Sequence, residues 1–314
     1  MPPAVRLPNF FLAGVPRAGT TSLYFYLGQH PQIYVSPVKE PAFFGAADLR
    51  RHGGELLRYA APDRAALRPY LEGNAPSGPP PLVLDWEGYL DLFRAAGDEP
   101  AVGEGTVGYF SLPGAARAIH AKVPDARLIF VLRDPAERLF SHHLAALWHD
   151  PARTFRQRFL DAIEPGATAP PVLVEEGRFA TNLERFLDLF PRDRIRIHLY
   201  EDYQADPRAV LRDVFAFLGV DPDHPVDLSR RHNETQTPRW PVLHRLRRRV
   251  LGERGASLQW IPERARQAMR RLYRRQGTGM TMDPEDRRLV IDFYRDEVRR
   301  TAELIGRDLS AWLR

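Results

Sequence analysis

Residues 9–22 read NFFLAGVPRAGTTS, and this stretch decides the fold. Its first seven residues form a short apolar run between two prolines, which suits a buried strand and is too short for a globular helix. The proline and glycine that follow predict a turn, and Thr20 or Thr21 is then a suitable N-cap for a helix that reaches Gly28. The sequence therefore predicts a strand, a glycine-containing loop and a helix.

A loop of this kind favours an anionic ligand, because it points backbone N–H groups and the positive end of a helix dipole at one spot. Compared with the nucleotide-binding pattern G-x-x-x-x-G-K-[ST], Gly14, Gly19 and Thr21 fit. Thr20 stands at the lysine position, and the nearby cation is Arg17. A kinase or NTPase would lack its lysine, and a tight turn without any ligand is the plain alternative.

The composition is that of an ordinary globular protein. Of 314 residues, 44% are hydrophobic and 27% charged, and the net charge of +5 comes mainly from arginine. Arginine suits bidentate binding of phosphate or sulfate, although a compositional bias explains the same enrichment. No basic stripe interleaved with aromatic residues indicates nucleic acid. We expect one domain over residues 1–314, with insertions near 45–100, 145–175 and 229–280.

The chain contains no cysteine, which excludes disulfides and thiolate metal sites. The N-terminal apolar run of about seven residues is too short for a signal peptide or a membrane span. Cytoplasmic residence, without a membrane span, is the resulting expectation.

A charged pair follows the second predicted strand, Ile33 to Ser36. Lys39 and Glu40 stand between two prolines in PVKEPAFF, so the turn that carries them is constrained. Phe43 and Phe44 are expected to anchor this turn to the core. The alternative is an ordinary pair of solvated charges.

The second informative stretch, residues 125–147, reads DARLIFVLRDPAERLFSHHLAAL. Its apolar part, Arg127 to Leu132, predicts a buried strand with Arg133 at the carboxyl end, where open α/β sheets bind ligands. Asp134 then predicts the N-cap of a helix on which Ser141 lies. Arg133 and Ser141 are thus placed to bind one anionic group, unless Arg133 simply pairs with a carboxylate.

His142 and His143 invite a metal-site interpretation that we reject. Neighbouring residues diverge by about 100° on a helix, and no carboxylate-histidine spacing accompanies the pair. Packed or surface histidines are the better interpretation, and no metal is expected.

The remaining pattern alternates strands and helices. Helices are predicted at 64–71, 86–95, 112–122, 179–190 and 207–218, near 242–251 and 262–275, and from Asp283 through Ile305. Further strands are predicted at 102–106 and 194–200. This alternation indicates an α/β fold with a mainly parallel central sheet and helices on both faces, in the three-layer arrangement of P-loop nucleoside kinases.

Together, five segments resemble those of sulfotransferases that use 3′-phosphoadenosine 5′-phosphosulfate (PAPS), in the bacterial and heparan-type branch of that family. They occur in the family's order over nearly the whole chain: GVPRAGTTSL, KEPAFF, VLRDPAERLFSHH, GRFATNLERFLDLFPRDRIRIHLYEDY and DPEDRRLVIDFYRDEVRRTAELIGRDLSAW. A transferring sulfuryl group carries less negative charge than a phosphoryl group, which agrees with the missing P-loop lysine and with the expectation of no metal.

The resemblance implies roles for individual residues. Glu40 matches the catalytic glutamate of the heparan-type enzymes, with Lys39 beside it. Arg133 and Ser141 match the pair that binds the 3′-phosphate. The expected contacts of the 5′-phosphosulfate are Arg17, Ala18, Gly19, Thr20, Thr21 and Ser22.

Two further matches and two departures accompany these roles. Phe179 is expected near adenine, and Arg275 and Gly277 in the late loop that covers the nucleotide. Arg17 replaces the family's loop lysine and stays protonated, so it is expected to act electrostatically. Gly105 replaces a second lysine, for which Lys39 is the proposed substitute.

The sequence leaves two other functions open. A P-loop kinase or NTPase would require ATP and magnesium. A non-enzymatic nucleotide-binding or polyanion-binding protein would gain nothing from Glu40 beside its anion. No motif indicates the acceptor, whose hydroxyl or amine would belong to a small molecule or glycan, or the oligomeric state.

Overall fold

The computed structural model divides the chain into two compact units. The first comprises residues 1–133, 175–232 and 296–309, and the second comprises residues 134–174, 233–295 and 310–314. A single domain over 1–314 stays a prediction. The structure describes residues 6–52, 54–61, 63–76, 79–147, 150, 152–164, 172–229, 236–238, 274–276 and 280–314.

The first unit is built on a five-stranded parallel sheet. Its strands are β1 (Phe10–Gly14), β2 (Ile33–Val35), β3 (Ala101–Glu104), β4 (Arg127–Leu132) and β5 (Ile195–Leu199). Their order is β2-β3-β1-β4-β5, and every neighbouring pair is parallel. The predicted α/β fold with a parallel central sheet is confirmed.

The central strands form the core because both of their faces are covered. Every residue of β1 is buried, as is β4 after Arg127. Such strands are continuous apolar runs rather than alternating ones, which is why the sequence showed them clearly. The registers Phe10 opposite Gly103 and Phe10 opposite Arg127 place β1 between β3 and β4.

Helices surround the sheet and form most of the second unit. In chain order they are α1 (Thr20–Leu27), α2 (Ala46–His52), α3 (Arg68–Leu71), α4 (Trp86–Asp91), α5 (Ala115–Lys122), α6 (Pro135–Ala146), α7 (Phe155–Ile163), α8 (Val172–Glu175), α9 (Phe179–Leu187), α10 (Tyr200–Ala205), α11 (Pro207–Leu218) and α12 (Pro284–Ile305). Among the described helices, none is long and apolar enough to cross a membrane.

Most helix ends lie where the sequence placed them. The Asp134 carboxylate accepts from the backbone N–H groups of Ala136 and Glu137 at the start of α6. Gly219 ends α11 with φ of 76°. The threonine N-cap predicted for α1 is wrong: Gly19 takes that position with φ of 76° and no side-chain cap, because the loop there needs a left-handed residue.

Four predicted helices are shorter than expected. Residues 64–67 form a 3₁₀ turn before α3, α4 ends at Asp91, α5 begins at Ala115 and α9 ends at Leu187. Arg64 and Arg94 both donate to the Asp91 carboxylate, which ties the end of α4 to the 3₁₀ turn.

The second unit holds α6, α7 and the N-terminal part of α12. Arg287 of α12 donates to the Asp134 carboxylate at 2.6 Å, and Tyr294 donates to the Val174 carbonyl at 2.7 Å. Strands β6 (Gln236–Pro238) and β7 (Arg274–Gln276) pair antiparallel. The predicted helix at 262–275 is therefore wrong for its last two residues, and the helix predicted near 242–251 lies outside the described residues.

Candidate functional site

The candidate residues follow neighbouring strands at one edge of the sheet. The loop with Arg17 follows β1, Glu104 ends β3, and Arg133 follows β4. Since the strands are parallel, their carboxyl ends share one edge. The strand order also reverses around β1, and this is the position where open α/β sheets bind ligands.

The loop after β1 is held tightly by its backbone. The Val15 N–H donates to the Val131 carbonyl at 3.0 Å. Arg17 and Gly19 both have positive φ, 68° and 76°, and α1 begins directly afterwards. The first N–H groups of an α-helix have no acceptor within the helix, so a helix start directly after this loop is what an anion site requires.

Two tyrosines of α10 cover this loop. A Cβ at Gly19 would lie 3.0 Å from the rings of both Tyr200 and Tyr203, so a larger residue would have to displace these rings and adopt an unfavourable φ. Neither tyrosine was predicted from the sequence. The sequence pattern that could have indicated them is LYEDY, with tyrosines at positions i and i+3 of a helix. This segment directly follows a strand that ends at the ligand-binding edge of the sheet.

The two predicted phosphate-binding arginines of this unit are in contact. The Arg133 guanidinium donates to the Arg17 carbonyl at 2.9 Å and lies 4.6 Å from the centre of the Tyr200 ring. Burial lowers the pKa of Arg17, and the positive charge of Arg133 lowers it further, while Tyr200 acts in the opposite direction. Because two cations repel each other here, a bound oxyanion would relieve that repulsion.

The turn with Lys39 and Glu40 lies at the same edge, through contact with the end of β3. The Glu40 N–H donates to the Gly105 carbonyl at 2.9 Å. The side chains of Lys39 and Glu40 form an ion pair with each other, and they are 15% and 43% exposed. Glu40 therefore remains accessible to an acceptor, whereas Lys39 is mostly covered.

Phenylalanine side chains anchor this turn, as predicted. Phe44 is buried, with its ring 5.4 Å from that of Phe11 on β1. Phe43 is half-buried and stacks on Tyr89 at 4.7 Å. The turn is thus tied to the central strand of the sheet.

Glu104 is fully buried at the end of β3. Its carboxylate accepts hydrogen bonds from the hydroxyls of Tyr109 at 2.6 Å, Tyr89 at 3.2 Å and Thr106 at 2.6 Å. Burial raises the pKa of Glu104 to about 7, the three hydroxyls oppose that rise, and the Glu40 charge adds to it. A group without exposed surface cannot reach an acceptor, so Glu104 is not an alternative base.

Gly105 explains one departure from the family pattern. A Cβ at this position would lie 2.8 Å from the Tyr24 ring, too close for any side chain. Tyr24 is buried and donates to the Ser36 carbonyl, so its ring is fixed. The chain therefore has no room for a lysine at position 105.

The other loop residues differ in their exposure. Ala18, Thr20 and Ser22 are buried, and Thr21 is half-buried. Their backbone N–H groups, rather than exposed side chains, are what this part of the loop offers to a ligand. Their assignment to the 5′-phosphosulfate stays a prediction.

The remaining predicted residues are distributed over both units. Phe179 begins α9 with no exposed surface, and its ring lies 6.0 Å from that of Phe110. Ser141 lies on α6 in the second unit and is buried. Arg275 belongs to β7, and Gly277 lies outside the described residues. The nucleotide contacts of these four residues stay predictions.

The side chain of His143 on α6 packs among aromatic rings. His143 is buried against the rings of Phe140 and Phe155, and burial lowers its pKa to about 4. Over the described ranges, no group of three or more potential ligand side chains converges. His143 is a packed histidine, as the sequence analysis favoured.

Comparison with known proteins identifies relatives of the chain. It is 24% identical over 320 residues to bifunctional heparan sulfate N-deacetylase/N-sulfotransferase 4 of Mus musculus, covering 98% of this chain and 31% of that protein. It is 26% identical over 302 residues to carbohydrate sulfotransferase 15 of Mus musculus, covering 78% of this chain and 52% of that protein. The chain thus spans about a third to a half of the length of these relatives.

A solved structure and a family model agree with these relatives. The structure of a sulfotransferase from Alicyclobacillus acidocaldarius superposes with a TM-score of 0.68 at 28% identity, covering 99% of this chain and all of the other. The sequence model described as the sulfotransferase family matches residues 8–224, which is more than half of the chain and includes Arg17, Glu40 and Arg133. The chain belongs to the sulfotransferase family.

Proposed function

We propose that the chain transfers a sulfuryl group from PAPS to a hydroxyl or amine of an acceptor. The observation that carries the proposal is the contact of Arg133 with Arg17 at the carboxyl edge of the sheet. A nucleotide with phosphate groups at both its 5′ and 3′ positions offers an anion to each guanidinium. ATP has no 3′-phosphate and would leave the second cation without a function.

The residues at this edge fit such a nucleotide. The backbone N–H groups at the start of α1 and the Arg17 guanidinium would hold the 5′-phosphate and sulfuryl end, and Arg133 would hold the 3′-phosphate. When bound, PAPS supplies an activated sulfuryl group on a phosphate leaving group. Gly19 has no side chain, and a Cβ there would lie 3.0 Å from the rings of Tyr200 and Tyr203, so a glycine lets the loop backbone approach the anion.

Arg17 would stabilise the charge that develops on the leaving phosphate oxygen. Its guanidinium stays protonated despite the lowered pKa, so it acts as an electrostatic donor and not as an acid. A fixed cation in a half-buried site needs little reorganisation when charge develops.

Glu40 would accept the proton from the attacking hydroxyl or amine. Its side chain is partly exposed on a backbone-fixed turn, which suits a base that must meet an external acceptor. Lys39, paired with Glu40, would orient the carboxylate and add positive charge near the sulfuryl oxygens. Two relatives are named for heparan sulfate and carbohydrate, so saccharides are the first acceptor class to screen.

Calorimetry tests the nucleotide part of the proposal. Adenosine 3′,5′-bisphosphate (PAP) should bind at least tenfold more tightly than adenosine 5′-phosphate. Arg133→Ala should remove most of that preference, at a cost of about 2 to 3 kcal/mol for a lost charge-assisted contact. Because Arg133 also holds the Arg17 carbonyl, adenosine 5′-phosphate serves as the control: equal losses for both nucleotides would indicate a damaged loop. Equal affinities in the unmodified protein would refute the assignment.

The transfer part needs a separate assay. The protein would be incubated with PAPS and acceptors from saccharide, phenol, lipid and peptide classes, and sulfated products would be detected by mass spectrometry. We expect sulfuryl transfer from PAPS to acceptors of one class. We expect no phosphoryl transfer from ATP with magnesium to any of them. Tight PAP binding without transfer to any class would favour a non-enzymatic nucleotide-binding protein.

A further inference from the structure

The proposed reaction leaves Glu104 without a role, although burying a carboxyl group is costly. Its three hydroxyl partners, Thr106, Tyr109 and Tyr89, do not have equivalent surroundings. Two of them have a second contact, and that contact is the main chain of the turn at residues 39–44.

The second contacts join Glu104 to the turn by two short relays. The Ala42 N–H donates to the Thr106 hydroxyl at 3.2 Å, and the Phe44 N–H donates to the Tyr109 hydroxyl at 3.3 Å. Each hydroxyl in turn donates its proton to the Glu104 carboxylate. Glu104 is therefore linked to the backbone of the turn at Ala42 and at Phe44, in each case through one hydroxyl and two hydrogen bonds.

The direction of these hydrogen bonds depends on the carboxylate. A hydroxyl has one proton, so a hydroxyl that donates to Glu104 presents only lone pairs to the turn. Above its pKa of about 7 the Glu104 carboxylate is ionised and only accepts, and it then fixes this order for Thr106 and Tyr109 together. Tests of this order are therefore made at pH 8. A side chain with its own donor at position 104 would compete for the hydroxyl lone pairs that the N–H groups of Ala42 and Phe44 need.

The turn requires such support because its backbone is unfavourable. Glu40 and Ala42 have φ of 64° and 60°, in the left-handed region that residues with a Cβ adopt at a cost. Neither is a glycine, so the conformation is maintained by contacts rather than by intrinsic preference.

We propose that Glu104 is a positioning residue that holds the turn carrying Glu40, by ordering the Thr106 and Tyr109 hydroxyls. Glu104 acts on the turn whether or not Glu40 is the base; the effect on turnover rests on the proposed function. Sulfuryl transfer would then depend on a buried carboxylate that never touches donor or acceptor.

Glu104→Gln tests the proposal, because it keeps the size of the side chain but adds a donor. Amide hydrogen exchange, read by mass spectrometry on peptides covering residues 38–45, should become at least tenfold faster. Peptides from β4, residues 127–132, should change less than twofold. In parallel, kcat should fall at least tenfold while the KM for PAPS and the Kd for PAP stay within twofold, since the loop after β1 is not part of the relay.

Matched variants separate positioning from general damage to the core. Thr106→Val removes one relay and should speed exchange at residues 38–45, whereas Thr106→Ser keeps the hydroxyl and should restore slow exchange. Tyr89→Phe removes a hydroxyl that bonds Glu104 but keeps the ring that stacks on Phe43, so exchange at residues 38–45 should stay within twofold of the unmodified protein.

The outcomes distinguish this proposal from the assignment of Glu40. Unchanged exchange at residues 38–45 in both Glu104→Gln and Thr106→Val would overturn the positioning role. Faster exchange throughout the chain in Glu104→Gln, with no local effect of Thr106→Val, would overturn it as well. Faster local exchange with normal turnover would support the positioning role and refute Glu40 as the base.

Discussion

The loop after β1 and the turn at residues 39–44 use left-handed backbone in two different ways. In the loop, Gly19 takes this conformation at little cost, and Arg17 takes it with φ of 68° while Arg133 donates to its carbonyl. In the turn, Glu40 and Ala42 take it, and the hydroxyls of Thr106 and Tyr109, more than sixty residues away in the chain, hold it. The loop is thus held by a cation that is itself a candidate for anion binding, and the turn by buried hydroxyls that are not.

This difference separates binding from chemistry. The loop offers N–H groups and the cations Arg17 and Arg133, which suit holding an anion. The turn offers a partly exposed carboxylate, which suits proton transfer but not anion binding. Changes in the turn should therefore act on turnover, and changes in the loop on binding, with Arg17 as the residue that takes part in both.

The strongest test of the comparison is Glu40→Gln. The amide keeps size and hydrogen bonding but cannot accept the acceptor's proton, so kcat should fall by about 10² to 10⁴. The affinity for PAP, measured by calorimetry, should change little. A variant that turns over normally would place the base elsewhere and remove the distinction between the two regions.

Arg17→Ala tests whether a loop residue also acts on the chemical step. Loss of a fixed cation at the leaving phosphate should lower kcat by about 10² or more, in the range of a lost oxyanion donor. Single-turnover kinetics at saturating PAPS would separate this from weaker binding. Arg17→Lys, which keeps a positive charge at this position, is the control. An effect of Arg17→Ala on binding alone would show that loop residues do not act on the chemical step.

The smallest effect concerns the dependence of stability on pH. The folded pKa of Glu104 is raised to about 7, chiefly by burial. Its contribution to stability is therefore fully present below the unfolded pKa, about 4.3, and is lost as pH rises through 7. Relative to Glu104→Gln, the unmodified protein should lose on the order of 2 kcal/mol of unfolding free energy between pH 5 and 8.

Urea unfolding of both proteins at several pH values would measure this difference. The groups that face Glu104 are the hydroxyls of Tyr89, Tyr109 and Thr106, and the nearby charge of Glu40 acts on it as well. The glutamine keeps all of these neighbours, so the difference between the two curves isolates Glu104. Parallel curves would show that Glu104 titrates near its usual pKa.

The sequence predicted those features that depend on local chemistry. The apolar runs of β1 and β4, the Asp134 cap and the Gly219 helix end are each contained within a few residues, and the structure confirms them. The threonine cap of α1 failed because a left-handed residue was needed at Gly19, which depends on how the loop meets Tyr200 and Tyr203.

The supports of the site could not be predicted from sequence. Glu104 was one carboxylate among 40 acidic residues, and nothing local indicated that three hydroxyls from α4 and the segment after β3 would converge on it. Likewise, the sequence could not predict that Lys39 pairs with Glu40. In an irregular turn, the backbone angles decide whether adjacent side chains point toward each other or apart.

The close approach of Tyr24 to Gly105 constrains how this chain can change. A lysine at position 105, as in the family pattern, would collide with a ring that is buried and bonded to the Ser36 carbonyl. We therefore expect Gly105→Lys to be tolerated only in a chain that already carries a smaller residue than tyrosine at position 24. The two positions form an epistatic pair, so the order in which substitutions occur, and not only their identity, decides which catalytic cations this lineage can acquire.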